Sequence, residues 1–140
     1  MKINPLLVLV LSVIAFSTIP ASFSEGLTIS QNSNNTSTAT FDNGIWKTKV
    51  NKQIQITADI VNNQDKPQTF AYLVQIQNQD GVVVSLSWLT GSLDSDQTLS
   101  PAQSWMPTSP GIYTAQIFVW QGIDNPDALS PPLAMTIEAT

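Results

Sequence analysis

Four aspartates in two polar segments have the clearest potential for chemistry in this chain. Asp94 and Asp96 lie in one segment, and Asp124 and Asp127 lie in the other. If both segments are loops at one end of a domain, their carboxylates could converge on Ca²⁺, which takes about six to eight oxygen ligands. The spacing lacks the glycine and glutamate of an EF-hand loop. The four residues are candidate calcium ligands, and solvated acids that cap turns are the alternative.

Tryptophan side chains offer a second chemistry, because flat indole rings can stack on the faces of sugar rings. The four tryptophans are Trp46, Trp88, Trp105 and Trp120. Trp88 continues an alternating apolar row that begins at Val82, so we expect it to face the core. Trp120 ends a strand-like segment on the face opposite Val119. It is therefore the candidate for an exposed ring that stacks on a ligand, and packing at a sheet edge is the alternative.

The residues that the chain lacks exclude several classes of enzyme. It has neither histidine nor cysteine, which rules out Ser–His–Asp and Cys–His catalysis and most zinc, copper, iron–sulfur and haem sites. Asp59 has no second carboxylate at a spacing that requires pairing, so the sequence does not support the acid pair of a glycosidase. The lysines alternate with polar residues and should be exposed, which argues against a buried Ser–Lys pair. We expect a non-enzymatic protein with no cofactor.

The charge balance argues against a nucleic-acid partner. The chain has ten acidic and five basic residues, a formal net charge of −5, and no arginine. Affinity for nucleic acid comes mainly from cationic side chains against phosphates. We therefore expect a protein partner and no nucleic acid.

The first 24 residues have the pattern of a secretory signal peptide. Lys2 precedes an apolar run over residues 6–16, and small residues follow around Pro20. The run is shorter than the roughly 20 residues that a membrane-spanning helix needs. We expect cleavage after Ser24, or after Ala21, and an extracellular or cell-surface protein. An uncleaved anchor is the alternative, and only then would the protein contact the membrane.

Residues 25–44 are predicted to form a polar arm, since serine, threonine, asparagine and glutamine dominate them. The arm contains two overlapping acceptor sequences for N-glycosylation, at Asn34 and Asn35. Chance occurrence in a segment of this composition is the alternative.

Residues 45–140 alternate between apolar and polar side chains, which predicts strands. Ile54, Ile56 and Ile60 share one face of the first clear strand. Asp80-Gly81 supplies a tight hairpin turn between the next two. About seven short strands separated by turn signals predict an all-β antiparallel sandwich, preceded by the signal helix.

The segment Ser109-Pro110-Gly111-Ile112-Tyr113 resembles the entry to a late strand in immunoglobulin-like domains. The resemblance extends over residues 46–138, which are similar to the CARDB-type immunoglobulin-like domains of exported archaeal and bacterial proteins. It implies an immunoglobulin-like sandwich in which Tyr113 forms a corner by bonding back to the preceding loop. The absence of both core cysteines excludes the disulfide of antibody domains.

We predict an exported, non-enzymatic interaction or structural module at the cell surface. A module that binds polysaccharide or calcium is one alternative, and a membrane-anchored accessory subunit is another. Two coplanar exposed tryptophans beside acidic residues would favour ligand binding. Buried tryptophans and scattered aspartates would favour the interaction module.

Overall fold

The computed structural model describes residues 26–31 and 39–140, and within them the chain is all β. The strands are β1 (Leu27–Gln31), β2 (Thr40–Asp42), β3 (Ile45–Thr48), β4 (Ile54–Asn62), β5 (Gln68–Gln77), β6 (Val83–Leu93), β7 (Thr98–Leu99), β8 (Ala102–Trp105), β9 (Gly111–Trp120) and β10 (Leu133–Ala139). The predicted signal peptide and the acceptors Asn34 and Asn35 lie outside the described residues. Within them, no helix has the length and apolar character needed to span a membrane.

The strands form two sheets. In the first sheet β4 pairs with β1, β7 and β8, all antiparallel. The second sheet has the order β2-β3-β10-β9-β5-β6 and is antiparallel except where β3 runs parallel to β10. Two sheets packed face to face confirm the predicted β-sandwich.

The core lies between the sheets because alternate residues of the central strands point inward. Strand β4 contributes Ile54, Ile56 and Ile60, all of them buried. The matching inward rows of β5 and β9 are also buried: Phe70, Tyr72, Val74, Ile76, Tyr113, Ala115, Ile117 and Val119. The predicted alternation in these three strands is therefore the alternation between core and surface.

Two short strands occupy residues that the sequence assigned to the polar arm, 25–44. Strand β1 pairs along β4, with Ile29 opposite Ile60, and Leu27 is buried in the core. Strand β2 pairs with β3, and the Phe41 ring lies 5.0 Å from the Trp46 ring between centroids. The arm assignment thus needs correction for these segments. Their few apolar residues suffice because the backbone of each strand pairs with a neighbouring strand.

The orientation of β6 also differs from the prediction. We expected its row of large apolar residues to face the core, but Val84, Leu86 and Trp88 are 46, 53 and 54 % exposed. The register explains why, since paired residues share a face of the sheet. Trp88 lies opposite Leu73 on the outer side, whereas Leu89 lies opposite the buried Tyr72.

The hairpin between β5 and β6 differs in detail from the predicted tight turn with positive φ values at Asp80-Gly81. Gly81 has the expected positive φ, 76°, but Asp80 does not. The Asn78 side chain accepts hydrogen bonds from the backbone N–H groups of Asp80 and Val82, both at 3.0 Å. A register shift after Ile76 absorbs the extra residue.

Candidate functional site

The outer side of strands β5, β6 and β9 presents a continuous apolar surface, which we call the outer apolar face. Leu73 of β5 pairs with Trp88 on one side and with Phe118 on the other, so these three side chains form a row. Ala71 and Trp120 form part of the next row. The face contains a shallow groove of about 280 Å³, lined by Leu73, Gln75, Leu86, Trp88, Phe118, Trp120 and Ile123.

The aromatic rings of this face differ in exposure and are not all coplanar. Trp88 is more than half exposed, whereas Trp120 is only partly exposed. The Trp120 ring is tilted by 49° against the Phe118 ring, with centroids 6.1 Å apart. Sequence reasoning singled out Trp120, but Trp88 has the more accessible ring. The two other tryptophans pack within the domain, Trp46 in the core and Trp105 edge-on against Tyr113 at 4.9 Å between centroids.

Charge is absent from the strands that build the outer apolar face. Strands β5, β6 and β9 have 10, 11 and 10 residues, and none is Asp, Glu, Lys or Arg. The 15 charged residues of the chain all lie elsewhere. A charge-free surface with large exposed apolar side chains is unusual on a monomeric protein and typical of a contact surface.

The two acidic loops lie at the same end of the sandwich. Strands β6 and β9 both run antiparallel to β5, so the loops that follow them emerge where β5 begins. The first loop carries Asp94 and Asp96, and the second carries Asp124 and Asp127. Within the described residues, no three acidic side chains come together in a way that could hold a metal ion. The predicted calcium site therefore gains no support from this geometry.

Backbone hydrogen bonds explain the shape of the loop that carries Asp94 and Asp96. The Asp96 N–H donates to the Asn62 carbonyl at 3.0 Å, and the Asn62 N–H donates to the Gln97 carbonyl at 3.0 Å. The Gln97 N–H in turn donates to the Asp94 carbonyl at 3.1 Å. Both aspartates remain exposed. The loop is thus a turn fastened to the end of β4.

Asn62 holds this end of the sandwich together, a role that sequence reasoning missed. Its side chain is fully buried, and its amide nitrogen donates to the carbonyls of Lys66, Leu93 and Asp94 at 2.8, 3.2 and 3.1 Å. A buried amide in this position satisfies backbone groups that would otherwise lack partners. The sequence hint was weak, because Asn62-Asn63 reads only as the start of a polar loop.

Tyr113 connects the start of β9 to the loop before it. Its hydroxyl donates to the Ser109 carbonyl at 2.8 Å, and its ring is buried against Trp105. This bond runs four residues back along the chain, in the direction that the immunoglobulin resemblance implies. Tyr113 lies on the inner side of its sheet, away from the outer apolar face, so its role is structural.

Tyr72 is the one tyrosine of the described residues whose side chain is fully enclosed. Its hydroxyl donates to the Ile56 carbonyl at 3.3 Å and so links the two sheets. Burial raises the pKa of Tyr72 far above its ordinary value, and a smaller opposing effect comes from the backbone at Ala58. The phenol stays protonated at neutral pH and acts as a hydrogen-bond donor in the core.

Comparison with known proteins identifies similar folds but no related sequence. No protein-family profile matches the chain, and no curated protein matches it. Among solved structures, a cycloisomaltooligosaccharide glucanotransferase from Paenibacillus sp. matches with a TM-score of 0.57 and 19 % identity over 67 % of this chain. A Bacteroides uniformis β-glucuronidase matches with a TM-score of 0.52 and 14 % identity over 82 % of this chain. The chain spans only 12 and 13 % of these two enzymes.

A CARDB domain from Pyrococcus furiosus, solved in complex with di-metal ions, is matched over most of its own length. The TM-score is 0.54 and the identity 15 %, with 82 % of this chain and 86 % of that one covered. Identities this low establish the fold alone. The described part of the chain has an immunoglobulin-like β-sandwich fold, similar to that of this CARDB domain.

Proposed function

We propose that this chain is an exported, non-enzymatic interaction module that binds an uncharged, apolar surface of a protein partner through its outer apolar face. The observation that carries the proposal is the row formed by Trp88, Leu73 and Phe118 across three strands. Trp88 in this row and Leu86 next to it each expose more than half of their surface. Tryptophan is among the residues that most often supply the largest share of the energy of a protein interface.

The charge distribution supports an uncharged partner surface. A charged partner group placed on β5, β6 or β9 would lose its hydration without meeting an opposite charge from these strands. An apolar partner surface carries no such penalty, and burial of Trp88 and Leu86 against it stabilises the complex. The net negative charge of the chain favours solubility of the free protein.

Export is the second part of the proposal and depends on residues 1–24. The mass of the protein isolated from its host tests it. A mass that corresponds to residues 25–140, with or without sugar on Asn34 or Asn35, in the exterior fraction is the expected result. A full-length mass in the membrane fraction would instead support the membrane-anchored accessory subunit.

Partner binding through the outer apolar face is tested by a matched pair of variants. Trp88→Gln removes the most accessible ring of the face, and Met106→Gln makes a similar change at an exposed residue elsewhere. Proteins captured from the exterior fraction by the wild type should be lost with Trp88→Gln and retained with Met106→Gln. Equal capture by both variants would show that the outer apolar face is not the binding surface.

Polysaccharide binding is the second candidate function. It is favoured by one observation, that Trp88 and Trp120 line the same groove beside Gln75. Flat indole rings can stack on sugar rings, and the Gln75 amide could bond to a hydroxyl, although the Trp120 ring is tilted by 49° against the Phe118 ring. Retardation of the wild type, and not of Trp88→Gln, in gels that contain a neutral polysaccharide such as dextran would support this function.

A further inference from the structure

The edges of the two sheets differ greatly in length. The first sheet ends in β1, β7 and β8, which have 5, 2 and 4 residues, and Pro101 separates β7 from β8. The second sheet ends on one side in β2, with 3 residues, where Asp42 forms an ion pair with Lys47 at 2.9 Å. Short strands, proline and charge are the usual features that keep an edge from pairing with another chain.

Strand β6 forms the remaining edge and has none of these features. It has 11 residues, contains no proline and no charged residue, and within the described residues pairs only with β5. From Ser85 to Leu93 its register with β5 is uninterrupted. The backbone N–H and C=O groups on its other side therefore form a long, regular template for a further strand.

The chemistry of β6 fits a second copy of itself. Each copy is acidic, so association of two copies is opposed by charge unless the contact is free of charge. Two antiparallel β6 strands meet without any charged pair. A two-fold axis perpendicular to the sheet also keeps the outer sides of both copies on the same side, so the exposed apolar rows of the two β6 strands continue one another across the edge.

We propose that two copies of this chain pair antiparallel along β6, edge to edge, and form one continuous sheet across a two-fold axis. The pairing uses the backbone of β6 and does not depend on what binds the outer apolar face. It joins the outer apolar faces of both copies into a single surface and covers the long edge that each copy alone leaves open.

Sedimentation of the full chain, in the form that an exporting host produces, gives the first test. We expect a concentration-dependent dimer between about 1 µM and about 1 mM, the range in which interfaces of modest size associate. A monomer throughout this range would overturn the proposal.

Cysteine cross-linking tests the geometry, and the chain is suited to it because it contains no cysteine. Single cysteines are introduced at each position from 85 to 90, for example Ser87→Cys and Thr90→Cys. Moving one residue from the axis separates the two cysteines by about 7 Å along the strands, beyond the Cα separation that a disulfide spans. Because directly opposed residues share a face, the axis passes through one pair of identical residues, and we therefore expect strong cross-linking at a single position.

Other cross-linking patterns would contradict edge pairing. Comparable cross-linking at all three outer-side positions 86, 88 and 90, with none at 85, 87 and 89, would indicate that the copies stack through their outer apolar faces. Uniformly weak cross-linking at all positions would indicate non-specific collision. Either pattern would overturn the proposal even if a dimer is present.

A pair of lysine variants tests the edge without cross-linking. Thr90→Lys places a charge on exposed β6, and Ala134→Lys places the same charge on the same side of the sheet but on the central strand β10. Like charges at a strand edge oppose pairing, so Thr90→Lys should weaken dimer formation roughly tenfold or more. Ala134→Lys should leave it unchanged. An equal effect of both variants would count against the β6 edge.

Discussion

Strands β5 and β6 are neighbours in one hairpin, and both alternate between large apolar and small or polar residues. Yet a row of large apolar residues faces the core in β5 and faces outward in β6. In β5 the row that contains Phe70 and Val74 is buried in the core. In β6 the row that contains Leu86 and Trp88 is exposed. Alternation shows which residues share a face of a strand, but it does not show which face meets the core.

Hairpin pairing decides the orientation. Because paired residues share a face, the inward row of β5 fixes the inward row of β6. Val74 lies opposite Ser87, and Phe70 lies opposite Gly91, so the inner side of β6 has small residues at these positions, and Leu89 and Leu93 are its large inward residues. The apolar row is left outside, where it can serve in contact with another molecule.

The largest effect should come from truncation of the inward row of β5. Phe70→Ala removes a fully buried ring and leaves a cavity, which should lower the free energy of unfolding by about 3–5 kcal/mol. Phe41→Ala is the matched control, because the same change at this half-exposed ring should cost much less. Urea unfolding of both variants gives the comparison. Similar losses for the two variants would contradict the assignment of Phe70 to the core.

The small residues on the inner side of β6 should be restricted in size. A Cβ atom at Gly91 would lie 3.0 Å from the Phe70 ring, closer than normal packing allows. We expect Gly91→Ala to lower the free energy of unfolding by about 1–3 kcal/mol through overpacking. Phe70→Leu should relieve part of this loss, so a double-mutant cycle measured by urea unfolding should show coupling. Additive losses would indicate that the ring is not the obstacle.

The sequence predicts the sandwich because β4, β5 and β9 are central strands whose buried rows are the more apolar ones. It predicts the orientation of β6 only through pairing. A turn centred on Asp80-Gly81 already places Val74 opposite Ser87, which puts the neighbouring Trp88 on the outer side. The outer apolar face could not be predicted from single strands, because its rows combine residues from β5, β6 and β9 that are distant in sequence.

The contacts at the end of β4, and strand β1 beside it, are harder to predict from sequence for a different reason. The Asn62 side chain donates hydrogen bonds to the backbone carbonyls of Lys66, Leu93 and Asp94. Every residue has a backbone carbonyl, so the residue types do not indicate which carbonyls are bonded. Strand β1 is not predicted because it has only two large apolar residues, Leu27 and Ile29. Its backbone pairing with β4 holds it in the sheet, and this pairing is not visible in its sequence. Both features depend on main-chain geometry, which side-chain patterns do not encode.

A smaller effect is expected where β5 reaches across to the first sheet. Tyr72→Phe removes the hydrogen bond to the Ile56 carbonyl, which should cost about 1 kcal/mol at pH 7. Burial raises the pKa of Tyr72 in the folded protein, so above pH 10 the unfolded chain loses a proton that the folded one keeps. The wild type should therefore lose up to about 1.4 kcal/mol per pH unit from this group, and Tyr72→Phe should not.

Urea unfolding of both proteins between pH 7 and pH 11 measures this difference. The advantage of the wild type should shrink as the pH rises above 10 and then reverse. A constant difference across the range would mean that the Tyr72 phenol ionises equally in the folded and unfolded chain. That result would contradict the enclosure of Tyr72 between the two sheets.

The smallest effect on stability should come from the exposed row of β6. Trp88→Gln removes a ring that is already more than half exposed, and its neighbours Leu73 and Phe118 keep their pairing through the backbone. We expect the free energy of unfolding to change by no more than about 0.5 kcal/mol, as for most surface substitutions. A loss comparable to that of Phe70→Ala would mean that Trp88 supports the fold. An unchanged fold together with lost binding would show that β5 stabilises the domain while β6 presents its contact surface.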